Sequence, residues 1–213
     1  TPVVVAPSSG NVTVTKLTVD SDGDGLIQGG LGNARLAIEG TGVTLNGLIT
    51  TGPLTPVGSA PTITPYIGAT TGGITAGAGQ NFTNFSGVLL QSTTGNIGTS
   101  SAPINLGVAK VSATTTNGDI YIRENGSPTG GLEIASQSTR DVLGLIKTIN
   151  GATITSNVGG PKTISIRAAS PLLVSAPVVN NSGGDIILAA EGNTAADDLT
   201  INAAVTATGG AGN

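Results

Sequence analysis

A glycine followed by Asn or Asp and then Ile occurs at Gly95-Asn96-Ile97, Gly118-Asp119-Ile120 and Gly184-Asp185-Ile186. These glycines lie 23 and 66 residues apart, and the longer gap is close to three times 22. Similarity at a fixed period of that size marks an architecture of stacked repeats. Residues 93–125 (TTGNIGTSSAPINLGVAKVSATTTNGDIYIREN) show the unit in one pass. Turns at Thr94-Gly95-Asn96, Pro103 and Asn117-Gly118-Asp119 separate short apolar steps at Ile97, Ile104 to Val111 and Ile120-Tyr121-Ile122. Three strands of about five residues with three turns of two or three make a coil of about 22 residues. One such coil cannot bury its apolar side alone. A second coil stacked at about 4.8 Å pairs the backbone groups of both and lays Ile on Ile and Val on Val. The spacing therefore predicts an all-β chain, a parallel β-helix (β-solenoid) of roughly nine or ten coils, with residues 1–213 as one domain.

Composition limits what such a core is made of. Apolar residues are 38% of the chain but aromatics only 2%, there is no Trp, and 34 residues are Gly, so the interior must be narrow and aliphatic and the turns many. Disordered chains are rich in charge and poor in β-branched residues, whereas charged residues are 9% here. A net charge of −4, with the eight Lys and Arg scattered singly, argues against nucleic acid and against anionic membrane surfaces. No apolar run approaches the length of a membrane span, so no direct insertion is expected. The absence of Cys excludes disulfide scaffolding and thiolate metal sites, and the absence of Met points to a processed product or a segment of a longer chain.

Along the chain, Val3-Val4-Val5 between Pro2 and Pro7 reads as an edge strand, and Val12, Val14, Leu17 and Val19 alternate as core candidates with a change of phase near Lys16. Leu36, Ile38, Val43, Leu45 and Leu48 are expected inside. Pro53, Pro56, Pro61 and Pro65 then fall close together, with Gly72-Gly73 and Gly77 to Gly79 behind them. Prolines this dense do not belong to a central ladder, so residues 51–80 are expected to leave the stack as a loop or hairpin. From Gly87 the rhythm resumes through Val88-Leu89-Leu90, Leu132-Glu133-Ile134, Leu145-Ile146, Ile164-Ser165-Ile166, Leu172-Leu173-Val174, Ile186-Ile187-Leu188 and Leu199-Thr200-Ile201.

Two groups of side chains carry candidate chemistry. Asp20, Asp22 and Asp24 alternate, and Gly25 occupies the sixth place of what would be a calcium loop of hard oxygen ligands. The twelfth place, where a bidentate acid belongs, holds Leu31. Calcium and a solvated acidic turn both fit these residues, and no other cofactor is expected. Tyr66, Phe82 and Phe85 gather three of the four aromatics within twenty residues. They form either a patch on which a carbohydrate or protein partner stacks or a plug where the loop rejoins the stack.

The stretches TTGNIGTSSAPINL, TTTNGDIYI, NSGGDIILAAEGN and DLTINAAVTATGGAGN resemble the degenerate repeats of the filamentous haemagglutinin family and related giant β-strand-repeat exoproteins. The resemblance covers most of residues 87–213 and is looser before them. It implies a right-handed β-helix that is extracellular, secreted or held on a bacterial cell surface, and used as an adhesin, matrix component or stalk. Its partners would be neighbouring repeats or other copies of the chain, and carbohydrate or protein of a host or matrix.

Three rivals follow from the same residues. A polysaccharide-active β-helix enzyme needs converging acids or a basic residue; there is no His, and the acids are spread thinly, so no catalytic activity is expected. Pairs such as Thr13-Val14-Thr15 and Thr153-Ile154-Thr155 would suit an ice-binding face, but they are too irregularly spaced for one continuous face and fit β propensity better. Uncapped terminal coils would let copies join end to end into a filament.

Overall fold

The computed structural model describes residues 3–7, 9–14, 17–19, 36–51, 63–77, 79, 81–125, 131–169, 171–192 and 197–209. Asp20, Asp22 and Asp24 lie outside them. Among the described residues the chain is all-β, with no helix.

Strands come in sets. The first three sets are β1 (Val3–Val5), β2 (Val12–Val14) and β3 (Leu17–Val19); β4 (Leu36–Gly40), β5 (Val43–Leu45) and β6 (Ile49–Thr51); and β7 (Tyr66–Ala69), β8 (Ile74–Ala76) and β9 (Phe82–Thr83). They are followed by β10 (Val88–Ser92) and β11 (Ile104–Gly107), then β12 (Lys110–Thr115) and β13 (Ile120–Glu124). Next come β14 (Leu132–Ile134), β15 (Ser136–Arg140), β16 (Ile146–Asn150), β17 (Ala152–Ile154) and β18 (Ile164–Ala168). The last are β19 (Leu172–Val174), β20 (Val178–Asn180) and β21 (Ile186–Ala190), then β22 (Leu199–Ile201) and β23 (Val205–Ala207).

Each strand pairs with one from the next set rather than with its neighbour in sequence. One sheet runs β1-β4-β7-β10-β12-β14-β19-β22, with β17, β20 and β23 joined to it through β12. A second runs β3-β6-β9-β11-β13-β18-β21, and a third is β2-β5-β8. Every pairing is parallel except β15 with β16. Parallel partners need a long crossover between them. Here the other strands of each set supply it, so tight turns suffice.

In-register pairing builds columns of like side chains. Val12, Val43, Ile74, Ile97, Ile120, Ile164 and Ile186 stand successively opposite one another, all buried except Ile186, which is partly so. The amides of Val12, Val43, Ile74, Ile97, Ile120 and Ile164 each donate to a carbonyl of the set above, at 2.8 to 3.0 Å. A second column runs Val5, Ile38, Ile67, Leu90, Ala113, Ala152, Val178 and Val205. Burying each Val, Ile or Leu of these columns contributes about 1.5–3 kcal/mol, and both columns run through the main core.

The Gly-Asn/Asp-Ile recurrence now has a cause. Asn96 Oδ1 accepts from the Asp119 amide at 2.9 Å, and Asp119 Oδ1 accepts from the Thr163 amide at 2.7 Å. The side chain thus ties its turn to the next one. A Cβ on Gly118 would lie 2.2 Å from the Gly95 carbonyl oxygen, so the stacked turns leave no room for one. Just before these turns, Ser92 Oγ donates to Gly72 O at 2.9 Å and Thr115 Oγ1 to Gly95 O at 3.0 Å, the same bond one set further on.

Several expectations need correction. Along the Val12-to-Ile186 column the steps are 31, 31, 23, 23, 44 and 22 residues, so the 22-residue period holds only in the middle and at the end. The gap of 66 between Gly118 and Gly184 contains two steps rather than three, because the β15–β16 hairpin lengthens one of them. Among the described residues the longest path holds eight strands, where nine or ten coils are expected. Residues 63–77 do not leave the stack: β7 lies between β4 and β10, and β8 pairs with β5. Within the predicted 51–80 excursion, that leaves residues 52–62, 78 and 80, which lie outside the described ones. Leu48 is half-buried and Ile49 is the inward residue. Leu145 and Ile146 stand exposed on the hairpin.

The register can be checked in a chain that has no native thiol. Thr44, half-buried, and Thr75, exposed, are opposite partners whose hydroxyls lie 3.2 Å apart. Replacing both, Thr44→Cys with Thr75→Cys, should give a disulfide on mild oxidation that raises unfolding stability by about 3–4 kcal/mol. Pairing Thr44→Cys with Thr83→Cys should give none. Mass spectrometry and urea unfolding read both results.

Candidate functional site

The predicted aromatic cluster is interior. Phe82 is fully buried and Phe85 nearly so, both in the main core, while Tyr66 belongs to a second, smaller core. Buried in this way, the three rings do not offer their faces to a partner, and the packing alternative fits their placement. Phe82 stands between Ile49 and Leu106 in the second sheet.

Tyr66 shows what the sequence concealed. It shares its core with Ala37, Leu89 and Ile149, with Val142 packed against them. Ala37, Tyr66 and Leu89 are opposite one another in register on β4, β7 and β10, on the face turned away from the main core. That face is covered by the β15–β16 hairpin, which crosses the ladder. Gln137 Nε2 donates to Val88 O at 3.1 Å and to Ser112 Oγ at 3.0 Å, and Thr139 Oγ1 donates to Thr64 O at 2.7 Å. The hairpin turn is tied by Asp141 Oδ1, which accepts from the amides of Leu143 and Leu145, both at 2.9 Å. Lys147 Nζ lies 3.4 Å from the same carboxylate. Beyond this turn Leu143, Leu145 and Ile146 project into solvent. The signal for a covered outer face is the unbroken apolar run Val88-Leu89-Leu90, which a half-exposed strand would interrupt with a polar residue.

The outer face of the second sheet is open and carries the clearest concentration of functional groups. Tyr121 and Arg123 of β13 pair in register with Ser165 and Arg167 of β18, and Ser165 with Ile187 of β21. These residues floor a cleft of about 440 Å³, closed by Ser100 and Pro103 on one side and Glu191 on another. The loop that carries Ser100 is bonded to itself, Thr99 N to Ala102 O at 2.9 Å. Arg123 Nη2 lies 3.2 Å from Glu191 Oε2, and Arg167 Nη1 bonds to Glu191 Oε1. Like charges directly opposite on adjacent strands repel. One carboxylate between two guanidiniums offsets that repulsion and leaves one positive charge in the cleft.

This site was missed because Arg123 and Arg167 are 44 residues apart and read as isolated cations. The signal is the shared pattern Ile-x-Ile-Arg, at Ile120-Tyr121-Ile122-Arg123 and Ile164-Ser165-Ile166-Arg167. With alternation fixing which residues face out, equal phase in neighbouring strands places both arginines together.

Elsewhere a Ser175 hydroxyl donates to Glu133, whose carboxylate also meets Lys110 Nζ at 3.1 Å, and these contacts hold Glu133 below the usual carboxylate range. Burial, aided by the charges of Glu39 and Asp141, pushes the Tyr66 phenol well above its ordinary value. Its hydroxyl donates to Gln91 Oε1 at 3.1 Å.

A raised folded-state phenol favours the neutral form, so the stability it adds is complete below the unfolded value of about 10 and falls as pH rises above it. The urea midpoint is expected to drop between about pH 9 and about pH 11. Tyr66→Phe should lessen that drop, as followed by circular dichroism; equal slopes for both proteins would refute the assignment. In comparisons with known proteins, no family model matches the chain, and no curated protein or solved structure does.

Proposed function

We propose that this chain is a stretch of parallel β-solenoid that serves as an extracellular structural or adhesive element, secreted or held at a bacterial cell surface, without catalytic activity. The observation that carries this reading is the set of side-chain columns, continuous from Val12 to Ile186 and from Val5 to Val205, with every strand of the stack in parallel register. Such a stack converts sequence into length and surface at nearly constant cross-section. The resemblance of residues 87–213 to filamentous haemagglutinin repeats supports the same reading. So does the surface chemistry, in which hydroxyls and amides outnumber charges. Thr75 bonds to Thr44, Thr83 to Thr50, and Asn125 to Asn105, which in turn bonds to Gly79 O.

A second reading, self-assembly end to end, is favoured by one observation. The last strands, β22 and β23, leave Leu199, Ile201 and Val205 at 40%, 51% and 39% exposure, although their column partners Leu172, Val174 and Val178 are fully buried. An edge that no described strand covers, with apolar columns on it, accepts another parallel strand, from a further repeat or from a second copy.

Adhesion is the direct test. Beads coated with the purified chain should be retained on layers of acidic and neutral polysaccharide, or on extracellular matrix, more than beads bearing an unrelated protein of equal net charge. The polysaccharide should show no release of reducing ends. Retention no better than the control would overturn the adhesive reading, and turnover would overturn the non-catalytic one. Filaments in electron micrographs of the same sample would establish the second reading, and dispersed particles would remove it.

A further inference from the structure

We propose that the outer-face cleft of the second sheet binds an acidic saccharide, with Arg123 and Arg167 holding a sugar carboxylate and Tyr121 meeting a sugar ring. This rests on the adhesive reading above and gives it a place on the molecule.

Charge comes first. Each guanidinium presents five N–H donors in a planar fork, and the bonds to Glu191 engage one nitrogen of each. Both arginines also line the cleft, and their side chains remain 49% and 41% exposed. A further carboxylate can therefore be received without displacing Glu191, which acts as a positioning residue for the two forks. Planar two-point recognition of a carboxylate is what Arg does better than Lys.

The rest of the lining decides which carboxylate. The lining is mixed along its length: the half-buried Tyr121 ring, the hydroxyls of Ser100 at the side and Ser165 on the floor, and Ile187 at 36% exposure. A sugar unit offers the matching surfaces, an apolar C–H face for an aromatic ring and hydroxyls for serines. A densely charged polymer is a poorer fit. The whole chain carries −4, and at physiological salt a single local excess charge is screened within about 8 Å. Such a site favours one anionic group per sugar over a row of phosphates.

The cleft also has a direction. Its floor is built by β13, β18 and β21, stacked at about 4.8 Å, so a linear saccharide lying along the stacking axis meets successive strands. Tyr121, Ser165 and Ile187 form one column beneath it, and Arg123 and Arg167 the next.

The test uses isothermal titration of the full chain with a linear oligomer of galacturonic acid, against a neutral galactose oligomer of equal length and against acetate. Binding of the acidic oligomer is expected, with the neutral oligomer and acetate each at least about tenfold weaker. Arg167→Gln should weaken the acidic oligomer about tenfold or more. Arg167→Lys should restore only part of that loss, since it keeps charge and loses the fork. Tyr121→Ala, a second variant outside the ion-pair cluster, should weaken both oligomers. Backbone amide NMR shifts on titration should concentrate at 121–123, 165–167, 187 and 191. No binding of the acidic oligomer at millimolar concentration would overturn the proposal, as would unchanged affinity in folded Arg167→Gln. Acetate binding as tightly as the oligomer would reduce the cleft to a site for a free carboxylate and overturn the saccharide assignment. Bead adhesion that persists in Arg167→Gln would leave the adhesive reading standing while removing this site from it.

Discussion

The structure depends on one recurring bond: the amide of an inward Val or Ile donating to the carbonyl of the set above, repeated from Val12 to Ile164 at 2.8 to 3.0 Å. That bond fixes register, and register fixes everything beside it. Because side chains alternate with a period of two, a slip of one residue in any set would turn its Ile or Val to solvent and its Thr inward. The turns enforce the same alignment independently. Asn96 and Asp119 bind the following turn through side-chain oxygens, and Gly118 has no space for any side chain against Gly95. Apolar columns, polar corner bonds and glycine contacts all select one stacking, and such agreement between levels is what gives a sequence a single low-energy structure.

The part of this that could be read from sequence is the part that repeats locally. The isoleucines of Gly-Asn/Asp-Ile at Ile97 and Ile120, the alternation of Val12 and Val14, and Leu132 and Ile134 on either side of Glu133 all report the inside of the stack, and those side chains are buried there. The period itself misled. A gap of 66 equals three times 22 only by coincidence, because an inserted hairpin is invisible to a count of residues between motifs. Ser136–Arg140 reads as an ordinary polar strand, and nothing in it indicates that it runs antiparallel to its partner and across the others. The prolines between Pro53 and Pro65 led to too wide an excursion. Proline forbids a donor only at its own position, and Tyr66, directly after Pro65, already pairs with Ala37 and Leu89.

The two outer faces differ in a way that local patterns do not show. Over the first sheet the hairpin converts Ala37, Tyr66 and Leu89 from surface into core. Over the second sheet nothing among the described residues covers Tyr121 and Arg123 in the same manner, and the cleft with Glu191 forms there. The four aromatics divide: Tyr66, Phe82 and Phe85 are packed in the interior, while Tyr121 is half-buried on the outer face of the second sheet. Residues brought together by register across 44 positions are legible only once the stacking is known.

A pile whose layers touch only the next layer frays from either end, losing one layer at a time. The hairpin abolishes that independence. Ile149 shares one small core with Ala37, 112 positions earlier in the chain, and Thr139 donates to the carbonyl of Thr64. The early layers therefore gain part of their hold only from residues near 149, so the hairpin acts like a clasp that ties together layers far apart in the chain.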